Sequence, residues 1–169
     1  FMAFLVLYLV ALMISIVWNH IAGWDESVYI GMGKYLFSLG KVGGWETMRP
    51  ILLPLLVGFL WKLGFNPLYS AKAIGILFSL SSIILVYLIG RKLFGRLTGI
   101  LAAIFLAITP VFFYHSTYGL TDIPSTFFAL VTVYLLLRRS HLFFVGLSAA
   151  LAFLFRFPQG LFFIAVILS

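Results

Sequence analysis

The feature that most constrains this chain is a succession of long apolar runs almost free of charge, broken by short stretches that hold most of its charged residues. A helix or strand in an aqueous fold needs one polar face, and these runs supply none. Hydrophobic residues make up 64% of the 169 residues and charged residues 9%, with a mean hydropathy of +1.20. The expected class is therefore an all-α integral membrane protein, a polytopic helical bundle without a separate polar domain.

Runs that can cross a hydrocarbon core of about 30 Å lie at 1–18, 71–90, 98–115, 123–137 and 142–155, with a cut-off segment at 159–169. Those at 123–137 and 142–155 are short, so their boundaries are soft. Residues 1–18 lack a basic start and a small-residue cleavage site, and further apolar runs follow. They read as an uncleaved first span rather than a signal peptide. The chain starts at Phe1 and stops at Ser169 inside apolar runs. It is expected to be one transmembrane domain over 1–169, the N-terminal part of a longer protein and inactive as a fragment.

The net charge of +7 does not indicate nucleic acid. The basic residues stand singly or beside apolar runs, as charge next to a membrane does. Cysteine is absent, which excludes a disulfide frame, a thiolate metal site and a thiol nucleophile.

Between the first two spans lies a long stretch, 19–70, holding Asp25, Glu26, Glu46 and Arg49. An amphipathic helix is expected over 26–39, with Val28, Met32, Tyr35 and Leu39 as its apolar stripe and Gly40 as its stop. Pro50–Gly64 is apolar as well, and whether it crosses decides the side of every later loop. If it stays in the interface and the N-terminus is cytoplasmic, Arg91, Lys92, Arg96, Arg138 and Arg139 all fall in short cytoplasmic loops. If it crosses, those five go outside. The positive-inside rule favours the first arrangement. Residues 50–64 are thus expected as an interfacial or re-entrant helix, with Trp61 and Lys62 near the headgroups. All four acidic residues, Asp25, Glu26, Glu46 and Asp122, then share the extracytoplasmic face with Arg49 and Arg156.

Trp24-Asp25-Glu26 opens the 26–39 helix, where carboxylates are stabilised by free N–H groups and the helix dipole. They are either caps or a site group, a general base or a cation ligand. Thr121-Asp122-Ile123-Pro124 begins the span at 123–137, and Thr121 or Asp122 can cap it. Arg49-Pro50 and Arg156-Phe157-Pro158 sit where basic residues anchor to lipid phosphate, or hold one specific phosphate bidentately. His20 and His115 fall on the same face and His141 on the other, read as packing or hydrogen-bonding groups. Tyr and Trp near the span ends read as belt residues. Gly90–Arg96 is a basic hairpin that sets topology. No phosphate-cradling glycine loop, Ser/His/Asp set or zinc motif is present.

An N-terminal span, an Asp-Glu pair opening a juxtamembrane helix, and an Arg-Pro-led apolar helix come in this order. A span ending Gly-Arg-Lys-Leu-Phe-Gly-Arg and an Asp-x-Pro opening a later span follow. Together they resemble the N-terminal module of the C-type glycosyltransferase fold (GT-C). The nearest likenesses are the dolichyl-phosphate-mannose protein mannosyltransferases and the lipid A aminoarabinose transferases. The resemblance implies a membrane enzyme of plasma-membrane or ER type with its active site outside the cytoplasm, and direct attack of an acceptor hydroxyl on the anomeric carbon would invert it. It would take a polyprenyl-phosphate sugar donor, held in a groove open to membrane lipid, and an acceptor protein, lipid or glycan. By position, Asp25 resembles the first-loop acid, Glu26 its companion and Asp122 the second-loop acid. Arg49 and Arg156 resemble donor phosphate-binding groups. Metal-ligating residues cannot be assigned, and a divalent cation stays open. The rivals are a multi-span transporter, which would show charges deep in its spans and repeated halves, and a non-catalytic scaffold.

Overall fold

The computed structural model describes residues 1–18 and 20–161. Eight α-helices and a closing 3₁₀ turn at Phe157–Gly160 form its regular structure, with no strand among the described residues. The helices are α1 (Met2–Trp18), α2 (Trp24–Phe37), α3 (Leu52–Lys62), α4 (Pro67–Phe94), α5 (Arg96–Ile108), α6 (Pro110–Thr117), α7 (Asp122–Leu137) and α8 (Leu142–Phe155). The segment expected from 159 lies mostly outside the described residues.

Helix α4 organises the rest. Asn66 caps it, its side chain accepting the N–H of Leu68 at 3.0 Å and of Tyr69 at 3.5 Å, and Pro67 takes the first helical position. The helix therefore begins four residues before the expected start at 71. Helices α1, α2, α3, α5, α6 and α7 pack along it, and α8 reaches it through Phe155, whose ring lies 5.8 Å from that of Phe78. One cluster joins Leu12 of α1, Ile83 of α4 and Ala103 of α5; a second joins Met32 of α2, Leu53 of α3, Ala71 of α4 and Phe155 of α8. Hydroxyls tie the helices laterally. Ser116 donates to Ser79 at 2.8 Å with Tyr8 beside them, and Thr132 meets Ser148 at 2.8 Å. Such pairs satisfy polar groups where no water can.

The described helices differ from the expected spans in length. Only α4, with 28 residues, is long and apolar enough alone to cross a membrane. The expected span at 98–115 is two helices, α5 and α6, bent by 64°. Pro110 at the start of α6 has no N–H to continue the helix, so the chain breaks at Thr109. Helices α1, α7 and α8 are apolar but have 17, 16 and 14 residues, roughly 21–26 Å at 1.5 Å per residue.

The stretch after α1 folds onto the bundle. Glycines let α2 and α3 touch by backbone: a side chain at Gly33 would stand 2.7 Å from the Pro54 carbonyl oxygen and 2.9 Å from the Gly58 nitrogen. The buried face of α2 is Tyr29, Ile30, Met32 and Gly33, not the expected stripe of Val28, Met32, Tyr35 and Leu39. Its helix ends at Phe37, and Leu39 lies beyond it with positive φ and 89% exposed. From there the chain runs back along α2. Gly43, at φ +89°, packs on the Gly31 carbonyl in a conformation and space only glycine fits. This return brings Arg49 beside the first turn of α2.

Candidate functional site

Two helix starts supply the carboxylates and two chain reversals supply the cations. Asp25 stands in the first turn of α2 and Asp122 opens α7, where the helix dipole favours negative charge. Neither serves as a cap: at Gly23 it is Glu26 that accepts the backbone N–H, and no side-chain bond caps α7 at Thr121. Instead each carboxylate reaches another element. Asp25 Oδ1 pairs with Arg49 Nη2 at 2.7 Å, and Asp122 Oδ1 pairs with Arg156 Nη1.

The second pair follows from the hairpin of α7 and α8. Sixteen residues out and fourteen back return the chain to the level where it left, so Arg156 arrives next to Asp122. An aromatic seam of Phe128 and Phe155, stacked at 5.6 Å between ring centres, holds these two ends together. The first pair depends on the return loop. Arg49 is fixed there by Glu46, whose Oε1 accepts from its Nε at 3.1 Å, and by the Tyr29 ring, 5.5 Å from its guanidinium carbon. Tyr29 first, and Glu46 next, push the Arg49 pKa further up.

Both pairs open onto one cavity of about 330 Å³. Asp25, Arg49, Asp122 and Arg156 line it, with Tyr29, Thr121 and Pro158 among the remaining walls. Tyr29 and Thr121 bridge the two halves through a 3.4 Å hydroxyl contact. His115 Nδ1 lies 3.8 Å from the same Asp122 Oδ1 that Arg156 engages. His20 and His141 are not in the cavity wall; His141 caps α8, accepting the Phe143 N–H at 3.2 Å. Among the described residues no three His, Asp or Glu side chains converge as a metal-ligand set.

Glu26 is placed differently from the other four residues. It is wholly buried and does not line the cavity. Its Oε1 accepts the Gly119 N–H at 2.7 Å and its Oε2 accepts the Gly23 N–H at 3.3 Å. It therefore ties the start of α2 to the loop that precedes Asp122. Burial raises its pKa, an effect opposed by the Gly119 N–H, by Lys72 and by the Gly23 N–H. The folded chain then holds this proton to higher pH than the unfolded one. The contribution favours folding at acid pH and is lost as pH rises from the ordinary 4.5 through the raised value. Glu26→Gln, which keeps an oxygen acceptor, is expected to remain folded and to flatten the pH dependence of unfolding in that window. Glu26→Ala strands two N–H groups and is expected to cost roughly 2–3 kcal/mol. Thermal unfolding of both variants across the window checks this; equal losses for both at neutral pH would contradict it.

Lys72 was not singled out by the sequence as a site residue, because it stands at the second position of an expected span. With α4 beginning earlier, it is carried inside the fold and is wholly buried, 5.6 Å from the Tyr118 ring. It also lines an apolar groove of about 350 Å³ between α1 and α4 with Met13, Ile16 and Ile76. The signal available was a lone lysine one and a half turns after an Asn-Pro helix start.

The cavity thus offers carboxylates to take a proton and guanidinium groups to hold an anion, side by side. No curated protein and no solved structure matches the chain. A model of the dolichyl-phosphate-mannose-protein mannosyltransferases matches residues 48–168, a segment that includes Arg49, Asp122 and Arg156 and covers most of the sequence. On that match the chain belongs to the dolichyl-phosphate-mannose-protein mannosyltransferase family, whose members are integral membrane glycosyltransferases.

Proposed function

We propose that the protein transfers a sugar from a polyprenyl-phosphate donor to an acceptor hydroxyl at the extracytoplasmic face, with inversion. The observation that carries this reading is the single cavity in which two carboxylates, from α2 and α7, each face an arginine. Arg49 and Arg156 hold the donor phosphate, exchanging their carboxylate partners for its oxygens. That exchange releases Asp25 toward the acceptor. Asp25 takes the hydroxyl proton as the oxygen attacks the anomeric carbon, and the bond from that carbon to the phosphate oxygen breaks. The leaving phosphate gains one negative charge, which the two guanidinium groups stabilise in a site built to receive it.

Asp122 orients Arg156 and reloads it when the product leaves. Glu26 acts from behind, fixing the position of Asp25 and Asp122 through Gly23 and Gly119. We assign it positioning rather than contact with substrate.

A many-span bundle of the GT-C kind is part of the proposal, and three features support it. The long window of α4 is only 33% buried. Helix α1 turns Val6, Val10, Met13 and Val17 outward, an apolar surface suited to lipid. Helix α3 has 11 residues, about 16 Å, half of what a crossing needs. An α3 lying along the interface keeps both ion pairs on one side. The apolar groove beside Lys72 is a place for part of the donor's hydrocarbon chain. The test is transfer of labelled mannose from a polyprenyl phosphate to acceptors by the full-length protein in proteoliposomes. Transfer that needs both Asp25 and Arg156 is expected; transfer indifferent to both rejects the assignment.

A further inference from the structure

We infer that a second anion site lies at the opposite end of α7 and takes the phosphate of an anionic phospholipid. A pocket of about 300 Å³ opens between the C-terminal ends of α4 and α7, lined by Leu88, Arg91, Lys92, Tyr134 and Arg138. Three of its five residues are cationic, and none of the chain's four acidic residues lines it. Gathering like charges in a concave site costs free energy that an entering anion relieves.

The cations are held by neutral groups. Arg91 Nη1 donates to the Tyr87 hydroxyl at 3.5 Å, Arg138 Nη1 to the Tyr134 hydroxyl at 3.3 Å, and Lys92 Nζ to the Leu137 carbonyl. Each tyrosine engages one nitrogen of its guanidinium and steadies it without cancelling its charge. Charge that only orients a protein in the bilayer requires neither a pocket nor such supports. Two partly fixed guanidinium groups lining one cavity suit the tetrahedral oxygens of a phosphate.

A lipid is favoured over a free anion by what surrounds the pocket. The same end of the molecule exposes Leu93, Phe94, Leu142 and Phe143, at 50, 73, 75 and 64%, as a seat for acyl chains. The site is distinct from the carboxylate cavity. Asp122 and Arg138 are separated by the length of α7, about 24 Å at 1.5 Å per residue. Basic pockets between helices at a cytoplasmic boundary bind anionic headgroups in this way.

The experiment uses the full-length protein in nanodiscs of phosphatidylcholine, with and without phosphatidylglycerol, and reads retained lipid by native mass spectrometry. Preferential retention of phosphatidylglycerol is expected, weakened about 30-fold in Arg91→Gln/Arg138→Gln for two lost charges. Inorganic phosphate is expected not to displace it. Equal retention of both lipids, or retention unchanged in the double variant, overturns the site. Displacement by inorganic phosphate overturns the lipid as its occupant. Should the double variant not fold, a photo-crosslinking phosphatidylglycerol on the wild-type protein decides: labelling within 88–92 or 134–138 supports the site, and labelling only elsewhere rejects it.

Discussion

Asp25→Asn is expected to lower sugar transfer by roughly 10²–10⁴ while leaving donor binding intact or tighter. Asparagine keeps the size and one oxygen of aspartate but cannot accept the acceptor's proton. It also weakens the competition for Arg49, now engaged at 2.7 Å, so that guanidinium is more available to the donor phosphate. Turnover falls while donor KM stays the same or falls with it, and that combination identifies a base. A variant that merely loosened α2 would lose donor binding along with turnover. Asp25→Glu retains the chemistry at a shifted position and is expected to recover part of the rate. Steady-state transfer in proteoliposomes, with donor concentration varied, measures both quantities. Unchanged kcat in Asp25→Asn rejects the assigned role.

Arg156→Ala is expected to be as damaging, by another route. The change removes one of two cations facing the donor phosphate and leaves the Asp122 carboxylate without its partner in the same cavity. An anion entering then meets repulsion where it had met attraction. We expect donor affinity to fall at least tenfold, on the order of the 1.5–3 kcal/mol of a charge-assisted hydrogen bond, and turnover to fall roughly 10²–10³ from lost stabilisation of the leaving phosphate. The double variant Arg156→Ala/Asp122→Asn removes the repulsion as well. It is expected to regain donor affinity without regaining turnover, because no cation has been restored. Binding of a polyprenyl phosphate to the purified single and double variants reads the first part, and transfer reads the second. Recovery of turnover in the double variant contradicts a role for Arg156 in stabilising the leaving group.

The helices were the most legible part of the sequence, since runs without charge admit little else. Asn66-Pro67 marks the start of α4 by its capping chemistry, and Pro110 marks the break between α5 and α6, although apolar continuity alone had joined 98–115 into one span. The grouping of Asp25, Arg49, Asp122 and Arg156, which line one cavity, had a source in the sequence, the expected sidedness of its charges. Their pairing did not. Which carboxylate meets which arginine depends on the return of the 38–51 loop along Gly31 and on the equal reach of α7 and α8. Both are properties of packing between distant segments.

Glu26 shows the limit most clearly. Next to Asp25 in sequence, it looked like its companion; a helix turns about 100° per residue, and one side chain faces the cavity while the other is driven inside. Its partner Gly119 is 93 residues away, and no local pattern announces that bond. Lys72 was hidden in the same way, by the helix start that carried it inward and by Tyr118 from another element.

In the proposed arrangement both ion pairs stand at one water boundary because α3 lies along the bilayer and not across it. The absence of cysteine from this chain permits a direct measurement. Single cysteines at Met48 and Leu63, on either side of α3 and 82% and 59% exposed, are introduced into an otherwise cysteine-free full-length protein, with Ser140 as reference. A membrane-impermeant maleimide is then applied to one side of sealed membranes. Met48→Cys and Leu63→Cys labelling from the same, extracytoplasmic side, with Ser140→Cys labelling from the other, is the predicted result. Met48→Cys and Leu63→Cys labelling from opposite sides would contradict the account.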